Sequence, residues 1–214
     1  MKPTPPLIAV LTLLISGCAA NSPDKIELGD IQNGTYHNKF FGLTIRLPTG
    51  WKPHSRDAMK RTTEKGKVLL AGKNETLKAE MDLAAQQTVD LFSVSEHELG
   101  APVPFNPNLS CSAERIDQMP GIQHGADYLF HLKKTFEMGA LPYTLTQDIT
   151  KEEIAGKPFA FVKIDLHIPP SMVVHQIYRA TVMKGYALIF ISTYATDEEA
   201  QTIDQAIQSV TFER

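Results

Sequence analysis

The chain has little of what usually makes a function readable. Its 214 residues hold two cysteines, Cys18 and Cys111, too few for a disulfide-stapled framework. It has no excess of positive charge: 21 basic residues against 24 acidic ones give −3. That balance shows no overall basic excess of the kind that nucleic-acid binding uses, so no nucleic acid is expected as a partner. No apolar run reaches the ~20 residues that a membrane-spanning helix needs. There is no internal repeat and no low-complexity tract. Catalytic signatures are missing as well: no Gly-x-Ser-x-Gly elbow, no Cys-x-x-Cys, no phosphate-binding glycine loop and no His-Glu-x-x-His zinc helix. His97-Glu98 starts the last pattern, but no histidine follows at the needed spacing. On these grounds the chain is not expected to be an enzyme or to carry a cofactor.

What is present begins at the N-terminus. Lys2 supplies a positive start, and Leu7–Ile15 (LIAVLTLLI) has the length of a signal-peptide core. Ile15-Ser16-Gly17-Cys18 then resembles the lipobox of bacterial lipoproteins. The resemblance implies a mature chain that starts at Cys18, with a diacylglycerol on its sulfur and an acylated amine. Two or three acyl chains exceed what stable anchoring requires. Ala19, where sorting to the inner membrane uses Asp, implies the periplasmic face of the outer membrane. An ordinary secretory signal ending near a cysteine is the alternative. The expected organisation is a leader over 1–17, a polar tether over 18–33 and a single domain over 34–214. Loss of Lys2 with the leader takes the formal charge to −4.

Lipidation would use up the sulfur of Cys18 and leave Cys111 without a partner in the chain. Leu109-Ser110-Cys111-Ser112-Ala113 alternates apolar and polar, which puts Cys111 on the inward face of a strand. It reads as an inert core residue, with a reactive thiol as the alternative.

Periodicity places the remaining elements. Thr35–Leu47 reads as two short strands broken near Phe41-Gly42, and helices are expected over 56–70, 77–87 and 122–137. Strands are expected over 88–95 and 109–116, with a proline-rich loop over 101–108. Four strands follow over 143–149, 159–168, 173–183 and 186–194, with turns at Pro169-Pro170-Ser171 and Lys184-Gly185. Tyr186–Tyr194 (YALIFISTY) is apolar on both faces, as a central strand covered on both sides should be. Thr196 and Glu199 form a capping box for a last helix whose stripe is Ala200, Ile203, Ile207 and Val210. The fold class is α+β: an antiparallel sheet flanked by helices.

Phe41-Gly42-Leu43-Thr44-Ile45-Arg46-Leu47-Pro48-Thr49-Gly50-Trp51 resembles the lead-in motif of the PsbP-like superfamily, which includes the DcrB-like lipoproteins. The tail is similar too: a long hairpin, an apolar strand, an acid-capped helix, then Ser209-Val210-Thr211-Phe212. The resemblance spans most of 34–214 and implies an α/β/α sandwich. Members mostly serve as binding or assembly factors without a shared catalytic set, so it implies little chemistry. Trp51 reads as a core anchor after the turn.

The histidines supply the remaining candidates. His124 and His131 share a helix face about 10 Å apart along the axis, too far for one metal, and read as solvated. His167 and His175 flank a hairpin. If 167 pairs with 175, the imidazoles lie side by side with Cβ atoms about 5 Å apart and would nucleate a metal site or a pH-sensitive contact; a one-residue slip separates them. Three functions follow. The first is a non-catalytic envelope lipoprotein that binds a protein or supports assembly. The second is a small-ligand or metal carrier. The third is a hydrolase using Cys111 or a Ser/His set without a familiar motif.

Overall fold

The computed structural model describes residues 26–168 and 171–213. The leader over 1–17, Cys18 and the Pro169-Pro170 turn lie outside the described residues. No helix among the described residues is long and apolar enough to cross a membrane.

A small sheet opens the fold. Strands β1 (Asp30–Gln32), β2 (Thr35–Asn38) and β3 (Leu43–Arg46) pair antiparallel, and the C-terminal β11 (Thr211–Phe212) closes it in the order β1-β2-β3-β11. Gly42, at φ +63°, turns the chain between β2 and β3 and lies against the backbone of Glu213, where a side chain would crowd it. Packing starts inside the stretch read as a tether: Ile26 is buried in the core, and Asp30–Gln32 is part of the sheet.

The second sheet has seven antiparallel strands. They are β4 (Lys52–Pro53), β5 (Thr88–Ser95), β6 (Asn108–Arg115), β7 (Tyr143–Ile154), β8 (Lys157–Ile168), β9 (Met172–Met183) and β10 (Tyr186–Tyr194), in the order β4-β5-β6-β10-β9-β8-β7. β10 is central, and most of its side chains are buried on both faces. β7 runs past the 143–149 expected for it. It is an edge strand whose register shifts between Leu145 and Gln147 and again between Gln147 and Thr150, and its mostly exposed side chains blur the alternation.

Each face of this sheet has its own cover. On one side Leu109, Cys111, Leu188 and Phe190 pack against Tyr36, Leu43 and Ile45 of the small sheet and against Ile203 and Ile207 of α4 (Asp197–Gln208). α4 starts at the expected box: Thr196 Oγ1 accepts the Glu199 N–H, and the Glu199 carboxylate accepts the N–H groups of Thr196 and Ala195. Arg179 of β9 is buried beneath α4 and donates to Asp204 Oδ1 at 2.9 Å and to Ser192 Oγ at 3.2 Å, with Glu152 of β7 at 3.4 Å. On the other side Val162, Ile164, Tyr178, Ala180 and Ile189 pack against Leu129 and Phe136 of α3 (Gly125–Met138). α3 begins after the expected 122 because the Asp127 carboxylate accepts the N–H groups of Gln123 and His124 and fixes the N-terminus there.

Helices α1 (Arg56–Ala71) and α2 (Glu75–Gln87) form an antiparallel hairpin beside α3. Ser55 caps α1, and Asn74 caps α2 immediately after the Gly72 turn. The result is the α/β/α, α+β sandwich, with the small sheet sharing one layer with α4.

Gly125 holds α3 on the sheet, since a Cβ there would run into the Ala180 carbonyl of β9. Gly125→Ala is expected to lower unfolding stability by about 3 kcal/mol, read as a reduced urea midpoint with little change in slope.

Candidate functional site

The register of the β8–β9 hairpin decides the histidine pair. Ile168 stands opposite Met172, which puts His167 opposite Val173 and His175 opposite Asp165. The imidazoles are therefore diagonal neighbours instead of facing partners. Each has its own oxygen: His167 Nε2 lies 2.8 Å from Thr144 Oγ1, and His175 Nδ1 lies 2.7 Å from Asp165 Oδ1. Tyr194 packs against the His175 ring, with centroids 5.3 Å apart. No group of three or more His, Cys, Asp or Glu positioned for a metal occurs among the described residues.

Cys111 is buried, facing Phe92 and Phe190 across the ladder. Burial pushes its thiol well above the usual range, with the nearby Asp90 charge adding to the shift. A protonated, enclosed thiol is a poor nucleophile. His124 and His131 are both exposed, His124 as the N-cap of α3 and His131 on the helix. Trp51 is half-buried against the core.

A further concave region lies elsewhere, under the α1–α2 hairpin. A bulge in β5 between Asp90 and Phe92 sends both Leu91 and Phe92 into the core. On the other face of the β5–β6 ladder the cross-strand pairs are Ser95–Asn108, Ser93–Ser110, Asp90–Ser112 and Thr88–Glu114. This row of polar side chains floors two cavities set end to end, with Thr63 of α1 lining both.

The first cavity, about 180 Å³, is lined mostly by polar residues, with Met59, Phe92, Leu99 and Ile191 adding apolar surface. At its end His54 bridges two serines: Nε2 is 2.7 Å from Ser95 Oγ, and Nδ1 is 3.0 Å from Ser93 Oγ. Ser95 donates its own proton to the His97 carbonyl, so it accepts from His54, and Ser93 donates to Nδ1. Burial lowers the His54 pKa, against an opposing pull from Glu98. A neutral imidazole in this tautomer ties β4 to β5. Its outer nitrogen leads through Ser95 to a backbone carbonyl, with no carboxylate in the relay.

The second cavity, about 420 Å³, is largely apolar. Leu77 and Met81 of α2 form one wall, and Leu132 and Met138 of α3 the other; Met119 and Ile122 close one end. Three methionines give the walls an adaptable shape. Lys67 crosses the hairpin to Asp82 at 2.6 Å, holding α1 to α2, and also pairs with Glu64 of its own helix at 2.8 Å. At the floor Tyr128 Oη donates to Glu114 Oε2 at 2.7 Å. Burial raises the Glu114 carboxyl above its usual range, and the Tyr128 hydrogen bond partly offsets this. Burial, reinforced by Glu114, pushes the Tyr128 hydroxyl well up.

Sequence reasoning missed this site. Met81, Leu132 and Met138 carry helical periodicity that reads equally well as core, and His54 belongs to no spacing pattern. The available signal was Glu114, an acidic side chain continuing the polar phase of Ser110 and Ser112 into a sheet covered by helices.

No family model matches the chain, and no curated protein matches it. Solved structures do. The solution structure of cyanobacterial PsbP from Synechocystis superposes with a TM-score of 0.52 at 14% identity, covering 86% of this chain and 96% of that one. A crystal structure of a Pseudomonas aeruginosa protein of unknown function is similar to a lesser extent, with a TM-score of 0.41 and 17% identity over 59% of this chain and 82% of that one. The fold is PsbP-like.

Two measurements check the site chemistry. A water-soluble thiol reagent is expected to leave Cys111 unmodified in the native protein and to label it fully in denaturant. For Glu114, a carboxyl whose folded pKa is raised contributes stability below its unfolded pKa and loses it as pH rises through the folded one. Glu114→Gln should therefore gain stability relative to the wild type as pH increases above the ordinary carboxylate range, in paired thermal melts; parallel pH curves for the two proteins would contradict this.

Proposed function

We propose that the protein is a non-catalytic accessory lipoprotein of the bacterial cell envelope, held through Cys18 at the periplasmic face of the outer membrane. It binds another envelope protein through the cleft between α2 and α3. The lipobox-like Ile15-Ser16-Gly17-Cys18 supports the address, and the missing catalytic signatures support the non-catalytic role. The cleft carries the binding reading: about 420 Å³, walled by two helices with apolar, methionine-rich sides. An amphipathic segment laid between helices is a recurrent recognition mode, with apolar side chains as anchors. Here those anchors meet Leu77, Met81, Leu132 and Met138, while the segment's polar side stays in solvent.

The test is in-cell photo-cross-linking of the full-length protein. A photoreactive residue at Ala84, on the cleft wall, is expected to give one adduct with an envelope protein. The same residue at Lys151, exposed on the far edge strand, is expected to give none. Equal adducts from both positions would overturn the reading. No adduct from Ala84, together with extra mass on the natively sprayed protein, would replace it with a small ligand in the same cleft.

A further inference from the structure

We propose that the outer face of the α1–α2 hairpin docks on the anionic surface of the lipid bilayer that anchors the chain. The inference rests on the Cys18 anchor but uses a surface apart from the α2–α3 cleft.

Charge is the first observation. Positions 56–73 hold six basic and two acidic residues, +4 in a chain of net −3; α2, with one basic and three acidic residues, carries −2, so the positive charge of the hairpin lies on α1 and the turn after it. Lys67 is turned inward to Asp82 and Glu64. Lys60, Arg61, Lys65 and Lys73 are exposed and form no ion pair among the described residues. Structural neutralisation therefore does not account for them. An anionic leaflet attracts such a group, each basic side chain adding to the binding.

Exposed apolar surface is the second. Val68, Leu69 and Leu83 are 60%, 61% and 63% exposed, the highest values among the large hydrophobic side chains described, and all three belong to this hairpin. Arg61, Lys65, Val68 and Leu69 follow helical spacing and form one stripe along α1. A helix with basic residues beside exposed aliphatic ones suits the interface plane, where the apolar side chains enter the headgroup boundary and the cations meet phosphates.

The third is where the anchor meets the fold. Arg56, the first residue of α1, donates to the Leu28 carbonyl at 3.3 Å, so the chain leading back to Cys18 passes the start of this helix. From Cys18 to Ile26 the chain reaches at most about 28 Å. α1, at 16 residues, is about 24 Å long. A tether of about that reach keeps the start of α1 near the bilayer, at high effective concentration.

The test uses the mature chain, residues 18–214, carrying Cys18→Ser so that no acyl chain drives binding; it retains every residue of the described fold. The probes are vesicles of equal parts phosphatidylglycerol and phosphatidylethanolamine, and vesicles of phosphatidylcholine alone, read by co-sedimentation. Binding is expected to the anionic vesicles only, falling with added salt. Charge reversal at Lys60, Arg61 and Lys65 should weaken it at least about tenfold. Val68→Ser with Leu69→Ser should weaken it as well, while Lys151→Glu leaves it unchanged. Lys60, Arg61, Lys65, Val68, Leu69 and Lys151 are exposed, and circular dichroism checks that each variant folds. Equal binding to both vesicle types, no binding to either, or wild-type binding by the charge-reversed variant would overturn the proposal. The anchor is read separately, from the mass of Cys18 in protein extracted from membranes. A free thiol there would remove the anchor and leave the vesicle result to stand by itself.

Discussion

A strand buried on both faces cannot be satisfied by a single covering layer, and β10 imposes that condition on this molecule. Phe190 and Leu188 need an apolar partner on one side, while Ala187 and Ile189 need one on the other. The chain answers with two different solutions. α3 comes so close at Gly125 that the helix lies against the β9 backbone. On the opposite face α4 and the small sheet share the work, and Arg179 crosses from β9 to Asp204 to fix α4 in place. A buried guanidinium is tolerable only when it is paired; Asp204, Glu152 and Ser192 surround this one.

The same logic explains why a cleft exists. The apolar cover follows β10 and β9 and gives out toward β5 and β6, whose helix-side residues are serines, Asn108, Asp90 and Glu114. The α1–α2 hairpin spans that region without sealing it. Its own cohesion comes partly from Lys67, which pairs with Asp82 across on α2 and with Glu64 on its own helix. A polar floor, an incompletely packed roof and methionine walls together leave space that a fully apolar sheet face would have closed.

The sequence was legible where a pattern repeats locally. YALIFISTY announced the two-sided strand, Thr196 with Glu199 announced the start of α4, and alternation around Cys111 announced its burial. The aromatic-glycine lead-in at Phe41-Gly42 and the Pro48-x-Gly50-Trp51 turn carried the resemblance to PsbP-like folds, which the Synechocystis structure bears out at the level of architecture. What escaped depends on pairing across distance. His167 and His175 had the right spacing for a shared site, but the hairpin closes with Ile168 opposite Met172, and register is invisible in composition. The cleft escaped for a related reason: a helical stripe states which side is apolar, not whether the neighbouring helix comes close enough to fill it. The early start of the domain escaped because Ile26 is a single apolar residue in a polar stretch, with no period to betray it.

The placement of β1 also bears on how the domain carries load. Asp30 pairs with His37, at the open end of the β1–β2 hairpin, so a pull along the N-terminal segment, once Ile26 and the Glu27 and Leu28 carbonyls bound by Asn38 and Tyr36 give way, reaches that rung and then passes to Ile31–Tyr36 and Gln32–Thr35. Force applied there breaks hydrogen bonds one at a time, as a zipper opens, instead of shearing several together. Once Ile26 leaves its seat, β1 peels from the edge of the small sheet while β3 and β11 still hold each other and the large sheet remains untouched. The first strand is thus the part of the small sheet that yields first, before the large sheet is strained.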